Sequence, residues 1–174
     1  VSYVDVQMDD YKIAEWLKNQ ALNKGVHLKE NNEVVSFCEN GSLTTRGSET
    51  LNYDFIVNAA GPWAKELLKT NNIQSNFNMS LVRGSHLILD LKIQSPLVLQ
   101  STKDKRIVFM LPLDNGCLLG TTEYSHNIKD PIVCTQIERD YLVDIANTYL
   151  EKTLTQKNII SDYAGVRPLV FDSN

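Results

Sequence analysis

No stretch of this 174-residue chain approaches the ~20 consecutive apolar residues that a membrane-spanning helix needs. Cysteine is scarce: Cys38, Cys117 and Cys134 lie in separate segments, and no CxxC pair occurs. An odd, dispersed set points to reduced thiols in a cytoplasmic setting rather than to a disulfide framework. The histidines, His27, His86 and His126, are equally scattered, so no metal-ligand spacing arises and no metal is expected. Charge of neither sign is concentrated. The net charge is −4, and the densest basic group, Lys103, Lys105 and Arg106, is interrupted by Asp104 and reads as a solvated loop. A basic nucleic-acid surface is thereby excluded. No signal peptide is visible, and the start at Val1 rather than Met is read as that of a piece excised from a longer chain.

What is present is ordinary for a globular protein: 43% hydrophobic, 22% charged and 8% aromatic residues. Asp9 and Asp10 can cap a helix in which Ile13, Trp16, Leu17 and Ala21 recur at helical spacing until Gly25. Val26 to Lys29 reads as a short strand. Glu33 to Glu39 and Leu43 to Arg46 flank Asn40-Gly41, a hairpin signal. Leu51 to Asn58 reads as a buried strand ending in Ala59-Ala60-Gly61, with Pro62 in the first turn of a helix to about Leu68. Four strands follow, at Met79 to Leu89, Pro96 to Gln100, Arg106 to Leu111 and Cys117 to Thr122. A helix then begins in the capping box Thr135 to Glu138, with Ile137, Tyr141, Ile145 and Tyr149 as its expected apolar stripe. A last strand, Ile159 to Val170, carries Arg167. The polar cluster at Asn71, Asn72, Gln74, Ser75 and Asn76 sets the expected domain border near residue 75, giving domains 1–75 and 76–174.

Several short motifs stand out, each with a plain alternative. Small residues in Ala59-Ala60-Gly61 would let the backbone approach a ligand, though on residue type alone a simple strand-to-helix turn is favoured. The eight glycines never fall at G-x-G-x-x-G spacing, so the sequence has no recognisable pyrophosphate cradle. His86 in Gly84-Ser85-His86 is a residue type that titrates near neutral pH, and equally a common hydrogen-bonded core residue. Gly120-Thr121-Thr122 ends a strand with two hydroxyls, or simply reflects the strand preference of threonine. Arg167 in Gly165-Val166-Arg167-Pro168 interrupts an apolar strand. Its fork matches phosphate or carboxylate, and on residue type alone a structural ion pair is as good a reading.

Taken in order, Tyr3-x-Asp5, Asp9-Asp10, Asn58 to Trp63, Arg83 to His86, Lys105 to Phe109, Leu119 to Thr122 and Tyr163 to Leu169 closely resemble the FAD-dependent glycerol-3-phosphate dehydrogenases. These are quinone-linked members of the D-amino-acid-oxidase-like flavoproteins. The resemblance runs over the whole chain. It implies an α+β or α/β architecture: the later part of a Rossmann-like FAD-binding domain (1–75), without its glycine-rich loop, and a mixed-sheet substrate domain (76–174). The implied reaction is oxidation of sn-glycerol 3-phosphate at C2 to dihydroxyacetone phosphate, with electrons passed through FAD to a quinone.

By position in these motifs, His86 corresponds to a substrate-pocket histidine and candidate base, and Arg167 to an arginine beside flavin and substrate. Ala59, Ala60 and Gly61 correspond to backbone packed against the adenosine half of FAD, and Val34 and Val35 to main chain at the adenine edge. Glu123 stands where the family often has Asp and is given no role; Ala60 stands where relatives often have Thr. The resemblance allows a homodimer and peripheral attachment to the cytoplasmic face of the inner membrane for the full-length protein; the sequence leaves both open. The isolated segment is expected to be inactive and to retain little or no FAD. The competing readings are an amine or amino-acid oxidase of the same flavoprotein group, and a non-catalytic ligand-binding module.

Overall fold

The computed structural model describes residues 4–171, so Tyr3 of the first motif lies outside the described residues. The chain divides into two compact units, one ending at Ile56 and the other beginning at Val57.

In the first unit, the Asp9 side chain accepts from the Lys12 backbone N–H at 3.0 Å and starts α1 (Asp10–Asn23). Gly25, at φ +81°, supplies the left-handed residue that ends it. The expected hairpin forms as β1 (Val34–Phe37) and β2 (Ser42–Thr45), and β3 (Thr50–Asn52) adds antiparallel to β2 in the order β1-β2-β3. Gly41 sits in the turn at φ +86°, where a Cβ would run into the Tyr53 carbonyl oxygen. Two expected strands are shorter or missing. Residues 26–29 and 53–58 belong to no strand, and Phe55 is 90% exposed rather than buried. Apolar sequence alone does not make a strand. A ladder partner must lie alongside, and none of the described strands does.

In the second unit, Pro62 lies in a 3-10 turn (Gly61–Trp63) that leads into α2 (Ala64–Thr70). That turn lies against the last strand, so residues 57–75 associate with the sheet that follows them, and the unit boundary precedes the border expected at residue 75. The sheet is built on β4 (Asn78–Leu89). β5 (Leu97–Gln100), β6 (Ile107–Leu113) and β7 (Gly116–Gly120) lead up to one edge of β4. β7 pairs with its last four residues, and the short β8 (Tyr124–Ser125) pairs with Val82 and Arg83 on the same edge. β9 (Ile159–Phe171) runs along the other edge from Asn78 to Leu89. All pairings among the described strands are antiparallel.

Because side chains alternate across a strand, this sheet has a covered and an open face. Leu87, Leu89, Val108, Met110 and Leu119 point to the covered face, where α3 (Gln136–Tyr149) packs Leu142, Ile145 and Ala146 against them. The phase of α3 differs from the expected stripe. Ile137 is 70% exposed and Tyr149 half exposed, while Glu138 is completely buried. The helix turns its buried face through 138, 142, 145 and 146 because Glu138 is held inward by partners on the sheet (below). Arg139 Nε also reaches Asp162 of β9 at 2.9 Å.

Candidate active site

His86 and Arg167 lie on the open face of the sheet. Ser85, Leu87 and Leu89 point to the covered side, so Val82, Gly84 and His86 point away from it. Directly paired residues on neighbouring strands share a face. Val82 pairs with Arg167, and His86 pairs with Tyr163 on one side and Gly120 on the other. The contacts agree with the register. The rings of His86 and Tyr163 stack at a centroid distance of 4.9 Å and an interplanar angle of 13°.

Two motif glycines form the floor beneath these side chains. A Cβ at Gly120 would collide with the His86 ring, and one at Gly84 would collide with Arg167 Nη2 and Thr121 Oγ1. The guanidinium therefore leans from its own row back over Gly84. At 3.3–3.4 Å per residue, that leaves it about 7 Å along the strand from the His86 row. The glycines of Gly84-Ser85-His86 and Gly120-Thr121-Thr122 thus have a spatial reason: each vacates volume that the Arg167 or the His86 side chain occupies.

Arg167 Nη2 donates to Thr121 Oγ1 at 2.8 Å, and Nη1 stands 3.6 Å from Glu123 Oε1. Both side chains of this ion pair are open to water, 40% and 53% exposed, so the pair contributes little to stability. The strand around Arg167 is apolar, as its sequence suggests, but the face it occupies is open. Glu123 is its counter-ion, a role not assigned from sequence. Arg106 Nη1 donates to the Glu123 backbone carbonyl at 2.6 Å, fixing the segment after Thr122.

Beneath this face is a polar cluster that the sequence did not disclose. The buried Glu138 carboxylate accepts from Arg83 Nη2 (2.7 Å), Ser85 Oγ (2.8 Å), Thr122 Oγ1 (2.9 Å), and the Thr135 hydroxyl (2.7 Å) and backbone N–H (3.0 Å). Burial alone would raise its pKa. The hydrogen bonds from Thr135, Ser85 and Thr122 outweigh burial and hold the carboxyl at about 2. The only sequence signal was its place as the third helical residue of a capping box, which is normally a solvent-exposed position.

The cofactor-side expectations fall in both units. In the second, Asn58 Nδ2 donates to the Ala64 carbonyl at 3.0 Å while its Oδ1 accepts from the Ala60 N–H at 3.2 Å, pinning the turn. Gly61 takes φ +53°, and no heavy atom lies within 4 Å of where its Cβ would stand. Gly61 therefore leaves open space on that side of the turn, whereas the Ala60 N–H is taken by Asn58 Oδ1 and the Ala60 carbonyl by the Trp63 N–H at 3.0 Å. In the first unit, Val34 and Val35 lie on the edge strand β1, where a register irregularity between Val34 and Ser36 leaves Val35 out of the ladder. Within the second unit, a small-residue turn and a glycine-floored sheet face fit part of a large flavin nucleotide; the first unit separately holds an edge strand. The pyrophosphate cradle is not among them.

Comparison with known proteins adds the family. The FAD dependent oxidoreductase family matches residues 1–174. The aerobic glycerol-3-phosphate dehydrogenases of Staphylococcus haemolyticus (strain JCSC1435) and Staphylococcus aureus (strain USA300) are each 27% identical over 185 aligned positions, covering 98% of this chain and 33% of theirs. This chain thus spans about a third of the length of the curated relatives it matches. In fold it is similar to the glycerol-3-phosphate dehydrogenase from Bacillus halodurans complexed with FAD, with a TM-score of 0.88 at 24% identity over 97% of this chain and 37% of that one. Glycine oxidase from Bacillus cereus ATCC 14579 follows the same path less closely, with a TM-score of 0.69 at 18% identity over 91% of this chain and 43% of that one. On the whole-length family match, the chain belongs to the FAD dependent oxidoreductase family.

Proposed function

We propose that this chain supplies the substrate side, and part of the flavin side, of a dehydrogenase that oxidises glycerol 3-phosphate and passes the electrons to a quinone. One observation carries the reading: an imidazole and a guanidinium stand on the same open sheet face, each over a glycine, at a separation that a small phosphorylated alcohol can span. The names of the staphylococcal relatives support the substrate. In this reading residues 1–75 belong to the flavin domain and 76–174 to the substrate domain.

FAD, when bound, supplies the hydride acceptor. The chain's own residues do the rest. His86, held flat by Tyr163, takes the proton of the C2 hydroxyl at a ring nitrogen. Arg167 uses one N–H on Thr121 and keeps donors for a phosphate or developing alkoxide oxygen. Its 3.6 Å contact with Glu123 is weak enough for an anion to replace. Ala59 to Gly61, Val34 and Val35 offer backbone to the cofactor.

The test uses the full-length gene product loaded with FAD. It should oxidise glycerol 3-phosphate in preference to glycine or D-amino acids, and reduce a soluble quinone faster than oxygen. Arg167→Ala should lower kcat/KM by about 10²-fold, the usual cost of one lost oxyanion donor. Oxidation of amino acids alone, or an Arg167→Ala protein with unchanged kcat/KM, would overturn the reading.

A further inference from the structure

The cluster around Glu138 is buried behind the proposed site, and no step of the reaction uses it. Its geometry nevertheless reaches both functional side chains. Ser85 immediately precedes His86. Thr122 follows Thr121, whose hydroxyl accepts from Arg167. Thr122 Oγ1 is a clamp in its own right: it accepts from the Ser85 N–H at 2.9 Å and donates to Glu138 at 2.9 Å. The Thr122 N–H in turn points to the Ser85 carbonyl at 3.3 Å. Glu138 thus joins the Gly84-Ser85-His86 and Gly120-Thr121-Thr122 segments at one point. Successive residues of a strand face opposite ways, so fixing Ser85 on the covered face fixes His86 on the open one.

A stability role alone explains this cluster poorly. Burying a carboxylate and a guanidinium costs desolvation, and well-packed apolar residues of the same volume generally do as well or better. What an apolar cluster cannot do is fix hydroxyl rotors and backbone N–H groups of two separate segments at once. We propose that Glu138 is a positioning residue: from behind the sheet, through Ser85 and Thr122, it sets the placement of the His86 imidazole and the Arg167 guanidinium. This rests on the functional reading of those two residues given above.

The test is a mutant cycle in the FAD-loaded full-length protein. Glu138→Gln and Thr122→Val should each retain flavin and lower kcat/KM by about 10²-fold, the scale of a ~1 Å misplacement of reacting groups. Thr122→Ser, which keeps the hydroxyl, should restore it to within about threefold, since the clamp needs only that group. In an Arg167→Ala background the effect of Thr122→Val should shrink severalfold, because residues acting through one another are not additive. Equal losses in both backgrounds, or a Thr122→Val protein with wild-type kcat/KM, overturn the proposal. Should Glu138→Gln fail to fold, the Thr122 series decides alone. Should the wild type not oxidise glycerol 3-phosphate, the functional reading falls by itself, and the positioning role is read from ¹³C-labelled histidine instead. The His86 ring signal, assigned with His86→Gln, should move in Thr122→Val and return in Thr122→Ser; an unmoved signal sinks the idea.

Discussion

The effect of a methyl group at Gly84 or Gly120 depends on what it meets. At Gly120 it meets the His86 ring, and at Gly84 it meets the end of the Arg167 side chain and the Thr121 hydroxyl, with the Thr122 carbonyl oxygen at 3.0 Å. The Arg167 end can swing aside, whereas at Gly120 the whole His86 ring, down to its Cγ, must turn, so in both cases the cost falls first on side-chain placement. Gly84→Ala and Gly120→Ala should therefore cut kcat/KM of the full-length enzyme by at least ~10-fold while lowering stability by only about 1 kcal/mol. Gly116→Ala is the contrast: its Cβ would strike the Leu89 carbonyl at φ +143°, so melting temperature should fall and the site should not change. Activity lost at Gly116 and kept at Gly84 would reverse the assignment. Glu138 gives a second residue-scale prediction, in pH. Its folded pKa, about 2, lies below the ordinary glutamate value of 4.5, so its contribution is complete above 4.5 and is lost as pH falls toward 2. The shift corresponds to roughly 3 kcal/mol. Urea unfolding at pH 7 and pH 3 should show a steeper loss in wild type than in Glu138→Gln, and parallel losses would refute it. The arginine in the strand, the histidine in Gly-Ser-His and the paired glycines were all legible by type and order. Glu138 was not, because its partners Arg83, Ser85 and Thr122 lie far away in sequence and converge only when β4 and the end of β7 come together.

At the scale of elements, patterns that local chemistry decides were readable. The Asp9 and Thr135 caps and the Asn40-Gly41 hairpin all depend on a few adjacent residues. Elements that depend on a neighbour were not. Val26 to Lys29 and Tyr53 to Asn58 have strand composition without a strand beside them. The phase of α3 was misjudged because Ile137 and Tyr149 are apolar, whereas burial follows the packed side set by Glu138. This makes a sharp comparison possible. Leu142→Ala, at a fully buried position, should cost about 2–5 kcal/mol of stability, whereas Ile137→Ala, at a position 70% exposed, should stay within about 0.5 kcal/mol. Denaturant midpoints measure both directly. A costly Ile137→Ala would mean that another surface covers that side of the helix.

For the molecule as a whole, the question is how much of the flavin site these 174 residues can hold alone. The groups they offer are backbone at Ala59 to Gly61, edge-strand main chain at Val34 and Val35, and a sheet face floored by glycine. In the proposed reading those groups serve the nucleoside end and the substrate side, but the doubly charged pyrophosphate needs several backbone N–H groups converging at a helix N-terminus. None of the eight glycines has the spacing that lets a chain form that cradle. Without it the charge of the cofactor has no dedicated donors, and the remaining contacts must offset the entropy of ordering a long flexible ligand. The chain also leaves Trp16, Leu17, Phe55 and Val57 more than half exposed, an arrangement that favours burial against further protein. The isolated chain should therefore purify without a flavin absorption band and sediment with a concentration-dependent mass, which Phe55→Asp with Val57→Asp should reduce. The full-length product should purify yellow and lose its colour slowly on dialysis. Stoichiometric FAD retained by the 174 residues alone would show that the pyrophosphate is held by a route other than a glycine-rich loop, and would move the search for its donors to the Ala59–Gly61 turn.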